Sequence, residues 1–197
     1  MVQKRQGIYF GWYIVIVSMI ITMLTVGLRL GIGPFVLPMM EDLNVTRTFI
    51  SMIISVSMIM YGVGMPIAGY LCGKYSTKFV LLLGLVIIEL SVLGTVLTNN
   101  VWIFFLMYGV FLSFGLAFTS PVAVTPIISR WFVRQRGKAL FSLSTGSMAG
   151  IAIFNPLATF MIESNGWRST LFIFAFIFII IIVPAAILIL KKMSRRC

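Results

Sequence analysis

The chain has 197 residues, of which 60% are hydrophobic and only 10% are charged. Soluble domains carry about 25% charged residues, so water cannot be the solvent for most of this surface. The net charge of +11 is divided among short segments between apolar runs, which excludes a nucleic-acid-binding domain and favours contact with the lipid bilayer and its anionic headgroups.

Six apolar stretches follow one another along the chain, and they predict an all-α membrane protein with six transmembrane helices. About 20 apolar residues cross the hydrocarbon core of a bilayer. We therefore place the spans at residues 10–38, 49–71, 79–98, 101–128, 138–162 and 168–190. The transmembrane region is then 10–190. Residues 1–9 form a cytoplasmic N-terminus and residues 191–197 a basic cytoplasmic tail.

The basic residues are sorted by side, which predicts the orientation of these spans. Only Arg47 and Arg168 fall on the outer face, and only Arg29 lies within an apolar stretch. The other twelve of the 15 basic residues share the inner face: Lys4, Arg5, Lys74, Lys78, Arg130, Arg134, Arg136, Lys138, Lys191, Lys192, Arg195 and Arg196. Both termini are therefore expected in the cytoplasm, and the chain in the cell inner (plasma) membrane.

The first span carries a polar stripe that ends in an arginine. Ser18, Thr22, Thr25 and Arg29 are spaced so that they share one helix face. Hydroxyls at such positions can simply join helices by hydrogen bonds, and Arg29 can snorkel towards the outer surface. We favour an aqueous cavity in which Arg29 binds an anion with Thr25 and Thr22 beside it, because the forked guanidinium suits a carboxylate.

Four later residues extend the candidate site. Ser147 and Asn155 share a face of the fifth span, and Tyr108 lies in the fourth. Glu89 is an acid in the middle of the third span, where we expect a proton carrier, a partner for Arg29 or a neutral carboxyl that makes one interhelical bond. Intramembrane ionisable groups are candidates for function by default.

The chain contains few of the residue types that enzymes use for catalysis. There is no histidine, and there are only two cysteines and four acids. A zinc site of the usual ligand types is not expected, and no nucleophile is paired with a base. We expect no metal, no cofactor and no enzymatic activity.

Several motifs resemble those of the major facilitator superfamily. The run from Gly69 to Lys78 is similar to the signature G-x-L-x-D-R-x-G-R-R between helices two and three. Arg130-Trp131-Phe132 followed by Arg136-Gly137-Lys138 resembles the passage between helices four and five. The opening Phe10-Gly11-Trp12-Tyr13, with Gly27-Leu28-Arg29, resembles bacterial monocarboxylate and oxalate/formate-type members. The chain is thus similar to the N-terminal six-helix half of the superfamily fold.

The resemblance implies both a gate and a function. It implies a cytoplasmic gate built from Gly69, Gly73, Lys74, Lys78, Arg130 and Arg136. The signature acid is replaced by Gly73, which puts the usual latch of that gate in doubt. The implied function is secondary active transport of a small organic anion such as a monocarboxylate, coupled to a proton or a counter-anion.

One half of a carrier needs a second wall around its substrate. The resemblance therefore implies a second six-helix half as partner, either a second copy in a homodimer or a separate chain. The alternative is a truncated or non-transporting membrane subunit that only packs against a partner.

Overall fold

The computed structural model describes residues 7–75, 77–125 and 136–193, and the regular structure in these ranges is helical throughout. A 3-10 turn, Gly33–Phe35, joins α1 to α2, and a π-helix, Phe105–Leu112, joins α5 to α6. The α-helices in chain order are α1 Gly7–Leu30, α2 Val36–Leu43, α3 Arg47–Lys74, α4 Thr77–Leu97, α5 Val101–Phe104, α6 Ser113–Phe118 and α7 Arg136–Met193.

The first apolar stretch is interrupted rather than continuous over 10–38. Helix α1 ends at Leu30, and α2 begins only at Val36. Pro34 lies at the start of the 3-10 turn, and Pro38 lies in the first turn of α2, where a missing N–H costs nothing. Helix α2 continues to Leu43, beyond the predicted end of the span, and Asn44 ends it with a left-handed φ of 51°.

Five segments are long and apolar enough to cross a membrane. They are Val15–Leu43, Arg47–Lys74, Phe79–Leu97, Val101–Thr125 and Gly137–Pro184. The last has 48 residues, about twice the length that one crossing needs. Length and composition thus indicate a multi-pass membrane protein.

Helix α7 is broken at Gly166 into two limbs, residues 136–165 and 167–193. The φ of 79° and ψ of 164° at Gly166 are not helical, and a positive φ favours glycine because a Cβ would be strained there. The Phe154 and Phe174 ring centroids are 5.2 Å apart, whereas a straight helix would separate these residues by about 30 Å. The two limbs therefore lie side by side.

Glycines bring the helices into close contact. A Cβ at Gly150 would collide with the carbonyl oxygen of Met23, and one at Gly146 would lie 2.5 Å from the Met19 Cγ. The first limb of α7 therefore packs directly on α1. In the same way, a Cβ at Gly64 of α3 would lie 2.6 Å from the Ala117 Cβ of α6. Small residues that allow such approach are typical of membrane helix contacts.

Helix α3 is the least covered of the long segments. Only 22% of its most apolar stretch is buried, against 39–50% in the other four. Its exposed side includes Met58, Ile59, Val63 and Tyr70. The core lies on its other side, where Ile53, Tyr61 and Ala68 are buried against neighbouring helices.

Candidate functional site

Arg29 rests on an aromatic ring at the middle of the bundle. Its guanidinium carbon lies 3.8 Å from the ring centroid of Tyr61, which is buried and lies halfway along the 28 residues of α3. A cation over a ring face is stabilised by the ring quadrupole and keeps its N–H groups directed outward along its edge. Among the side chains that the structure describes, the one ion pair is that of Arg168 with Asp42, and no carboxylate neutralises Arg29.

The Tyr61 hydroxyl lies near Ser120, at a break in the fourth apolar segment, but the two groups make no hydrogen bond of standard geometry. Helix α6 ends at Phe118, Thr119 has φ −98° and ψ 5°, and residues 121–125 are helical again. Pro121 causes the break, because proline donates no hydrogen bond and disfavours helix in the residue before it. Ser120 is fully buried, and its Oγ makes no hydrogen bond of standard geometry to any described residue.

The hydroxyls of the α1 stripe face a neighbouring helix. Ser18, Thr22 and Thr25 are all 0% exposed, so in this conformation the three side chains are packed against the protein. The Thr25 Oγ1 lies 3.2 Å from both the carbonyl oxygen and the Oγ1 of Thr119 and donates to them. The Thr22 Oγ1 donates to the Met19 carbonyl at 2.9 Å. In this conformation Thr25 joins α1 to Thr119, whereas the hydroxyl of Thr22 is bonded within α1.

Two of the predicted site residues, Ser147 and Asn155, lie in the first limb of α7 and have different surroundings. Ser147 is half-buried, and its Oγ donates to the Leu143 carbonyl of its own helix at 3.1 Å. The Asn155 Oδ1 is buried and has no hydrogen-bond partner among the described residues. It lies 3.4 Å from the position that a Cβ on Gly31 would take, so Asn155 faces the break between α1 and α2.

Tyr108 belongs to an aromatic cluster. It lies in the π-helix, is 7% exposed and stacks on Phe104 with ring centroids 5.6 Å apart. Phe104 in turn meets the ring of Trp167 edge-on at 6.1 Å. These contacts are those of a core residue, and they do not include Arg29.

Glu89 is half-buried in α4, and its Oε1 is buried without a hydrogen-bond partner within the described part of the chain. Glu89 and Arg29, both described, form no ion pair. The expected pairing of these two residues is therefore absent from this conformation, and each is a separate buried polar group.

Three of the predicted gate residues, Gly69, Gly73 and Lys74, lie in the last turns of α3. Gly69 is half-buried, and a Cβ there would be 3.8 Å from Val122. Gly73 and Lys74 are exposed, and the Lys74 Nζ lies 5.7 Å from the ring centroid of Tyr75. Arg130 and the side chains of Lys78 and Arg136 lie outside the described residues.

Tyr61 and Ser120 are the residues that the sequence reading missed. Thr119 and Ser120 directly precede Pro121, and this order is a signal for an interrupted helix with polar groups at the interruption. Tyr61 is a tyrosine in the middle of an apolar span, but its contact with Arg29 depends on the packing of α3 against α6 and could not be read from spacing.

Comparison with known proteins decides the family. A sequence profile of the Major Facilitator Superfamily matches residues 9–196. The chain belongs to the Major Facilitator Superfamily. It is therefore a membrane protein of a transporter family, as the motifs of the gate and the opening segment indicated.

Several curated members of the superfamily are similar over most of this chain. The uncharacterized MFS-type transporter YcxA of Bacillus subtilis is 26% identical over 180 residues, which cover 91% of this chain and 44% of YcxA. Monocarboxylate transporter 6 of Mus musculus is 26% identical over 179 residues, or 91% of this chain and 38% of that protein. Mouse monocarboxylate transporter 2 is 25% identical, with 91% and 37% covered. The chain spans less than half the length of these relatives.

Proposed function

We propose that this chain is a six-helix half of a secondary active transporter. The five apolar segments and the two limbs of α7, which lie side by side, support six crossings. The sorting of basic residues supports an orientation with both termini in the cytoplasm. We place the chain in the cell inner (plasma) membrane.

The substrate we propose is a small organic anion such as a monocarboxylate. The observation that carries this proposal is Arg29, a cation at the middle of the bundle whose described partner is the Tyr61 ring. A charged side chain in a membrane span costs about 2.5–3.5 kcal/mol on insertion scales, so its retention favours a functional role. Two relatives are monocarboxylate transporters, and a monocarboxylate has the charge and size expected of a ligand for a guanidinium.

A second six-helix half would complete the binding site. Substrate in this fold lies between two halves, and one half moves against the other. The weak coverage of α3 leaves an apolar face for such a partner. The partner is a second copy of this chain or a separate chain, and sizing of the assembly in mild detergent distinguishes them.

Glu89 is our candidate for coupling to a proton or a counter-anion. Its Oε1 lacks a hydrogen-bond partner among the described side chains. A carboxyl that is neither paired nor exposed is able to change protonation during a transport cycle. The gate formed by Gly69, Gly73, Lys74, Lys78, Arg130 and Arg136 would then close the inner side.

The proposal is tested by uptake of radiolabelled L-lactate into membrane vesicles that contain the chain in its native assembly. Arg29→Gln should reduce uptake to background while the abundance of the protein in the membrane stays at the parental level. Arg29→Lys should retain part of the uptake, because it keeps the charge but not the fork. Arg47→Gln is the matched control, since Arg47 is an exposed arginine at the start of α3.

Two outcomes would contradict the proposal. Parental uptake in Arg29→Gln would remove Arg29 from the substrate site. A parental protein that reaches the membrane and carries no organic anion would favour the non-transporting subunit instead.

A further inference from the structure

The break in the fourth apolar segment places a buried hydroxyl next to the partner of Arg29. Ser120 is 0% exposed, and its Oγ has no standard hydrogen bond to a described residue. A buried hydroxyl without a partner carries a desolvation penalty that natural proteins seldom leave uncompensated. The other serines and threonines near the break do have partners, since Thr119 bonds to Gly115 and Leu116, and Thr125 bonds to Pro121.

Three elements meet at this point. Arg29 comes from α1, Tyr61 from α3 and Ser120 from the break after α6. The guanidinium lies over the Tyr61 ring, and the hydroxyl of the same tyrosine lies near Ser120 without a hydrogen bond of standard geometry between them. The Thr25–Thr119 hydrogen bonds hold α1 against the residue before Ser120. Arg29 follows Thr25 by about one helical turn, so it lies on the same face of α1.

We propose that Ser120 and Tyr61 complete a carboxylate site with Arg29. In this site the guanidinium binds one or both carboxylate oxygens of a monocarboxylate, and the hydroxyls of Ser120 and Tyr61 donate hydrogen bonds to the same group. The Tyr61 ring holds the guanidinium in place before the anion arrives. This inference rests on the proposed function, and it adds the residues that would recognise the carboxylate.

The chemistry favours an anion over a cation at this place. Hydroxyls can serve either, but a metal cation beside the Arg29 charge would be repelled, and no carboxylate among the described residues pairs with that arginine. A carboxylate that accepts two hydrogen bonds from the guanidinium and one from each of two hydroxyls has most of its acceptor positions satisfied.

Kinetics of L-lactate uptake test the roles of the two hydroxyls. Ser120→Ala and Tyr61→Phe should each raise KM at least about tenfold, the loss expected for a hydrogen bond to a charged group, with the maximal rate within about twofold of the parent. Ser91→Ala is the control, because Ser91 is also buried but donates to its own helix at the Ile87 carbonyl, and it should keep the parental KM.

A second measurement does not depend on transport or on the stability of the alanine variant. Ser120→Cys, in a chain with Cys72 and Cys197 replaced by alanine, should react with a small membrane-permeant thiol reagent. L-lactate should slow that reaction, whereas the uncharged L-lactamide should not. A thiol that does not react, or that reacts equally fast with and without L-lactate, overturns the inference.

The two proposals fail differently. If Arg29→Gln abolishes uptake while Ser120→Ala and Tyr61→Phe keep the parental KM, the substrate site stands without these hydroxyls and the inference is wrong. If Arg29→Gln leaves uptake unchanged, Arg29 is not part of the substrate site and the inference is wrong, whereas a parental protein that carries no organic anion contradicts the proposed function itself.

Discussion

At Arg29 one side chain combines a permanent charge, a central position and an aromatic partner. The spacing of the α1 stripe predicted that Arg29 shares a face with Thr25 and Thr22, because residues three or four positions apart lie on the same side of an α-helix. The spacing could not say what the face meets. The structure bonds Thr22 within α1 and Thr25 to Thr119, and it leaves the guanidinium on Tyr61. Both threonines are buried, and α1 also packs closely on the first limb of α7.

Glu89 allows a test of coupling at the scale of a residue. If Glu89 carries the proton, Glu89→Gln should lose L-lactate uptake driven by a pH gradient, because an amide cannot be protonated and deprotonated in this range. Exchange of internal for external L-lactate at equal pH should persist, since it needs no net proton movement. Uptake driven by the gradient at the parental rate would show that Glu89 is a structural carboxyl.

At the scale of elements, glycines set the distances between helices. The pattern Gly146-x-x-x-Gly150 is typical of closely packed membrane helices, but a sequence pattern does not specify the partner helix. In the structure the partner is α1, at Met19 and Met23. Two other features of the elements escaped prediction, namely the interruption after Leu30 and the break at Thr119–Ser120, because apolar composition alone does not distinguish a straight helix from a broken one.

The glycine contact makes a prediction about stability. Gly150→Ala should lower the free energy of unfolding by about 1–3 kcal/mol, as overpacking does, because its Cβ would collide with the Met23 carbonyl. Gly62→Ala is the control, since nothing lies within 4 Å of a Cβ at that position. Thermal unfolding in detergent should show a lower midpoint for the first variant alone. Equal midpoints would mean that α1 and α7 are less tightly packed than described.

Arg168 joins three segments at one end of the bundle. Its Nη2 lies 2.9 Å from the Asp42 Oδ2 and 2.8 Å from the Asn99 Oδ1, and its guanidinium carbon lies 5.2 Å from the ring centroid of Trp167. The pair with Asp42 is partly exposed, so Asp42→Asn should cost less than about 1 kcal/mol. Arg168→Ala removes all these contacts and should cost more. Thermal unfolding midpoints in the reverse order would contradict this account.

At the scale of the whole molecule, the sequence predicted an all-helical membrane protein with long apolar segments, but little of the contacts between them. Apolar length and charge sorting depend on the bilayer, which acts on each segment separately. Four of the predicted spans, 49–71, 79–98, 138–162 and 168–190, overlap α3, α4 and the two limbs of α7. The proximity of Arg29, Tyr61 and Ser120 depends on how α1, α3 and the segment after α6 are rotated relative to one another. These rotations cannot be predicted from the pattern of a single sequence.

The proposed topology is tested with single cysteines in a chain whose Cys72 and Cys197 are replaced by alanine. Ser164→Cys lies in the exposed turn before Gly166, and Lys74→Cys lies at the exposed end of α3. A membrane-impermeant maleimide added outside intact cells should label the first and spare the second, which should react only after permeabilisation. Labelling of both from the same side would contradict six crossings in the proposed orientation.

The most direct test of the central claim is counterflow in vesicles that contain the assembled protein. Vesicles loaded with unlabelled L-lactate should transiently accumulate radiolabelled L-lactate from outside, and Arg29→Gln vesicles with equal protein content should not. Parental vesicles that hold the assembled protein and show no more accumulation than protein-free vesicles would contradict the claim that this chain forms half of an organic-anion carrier.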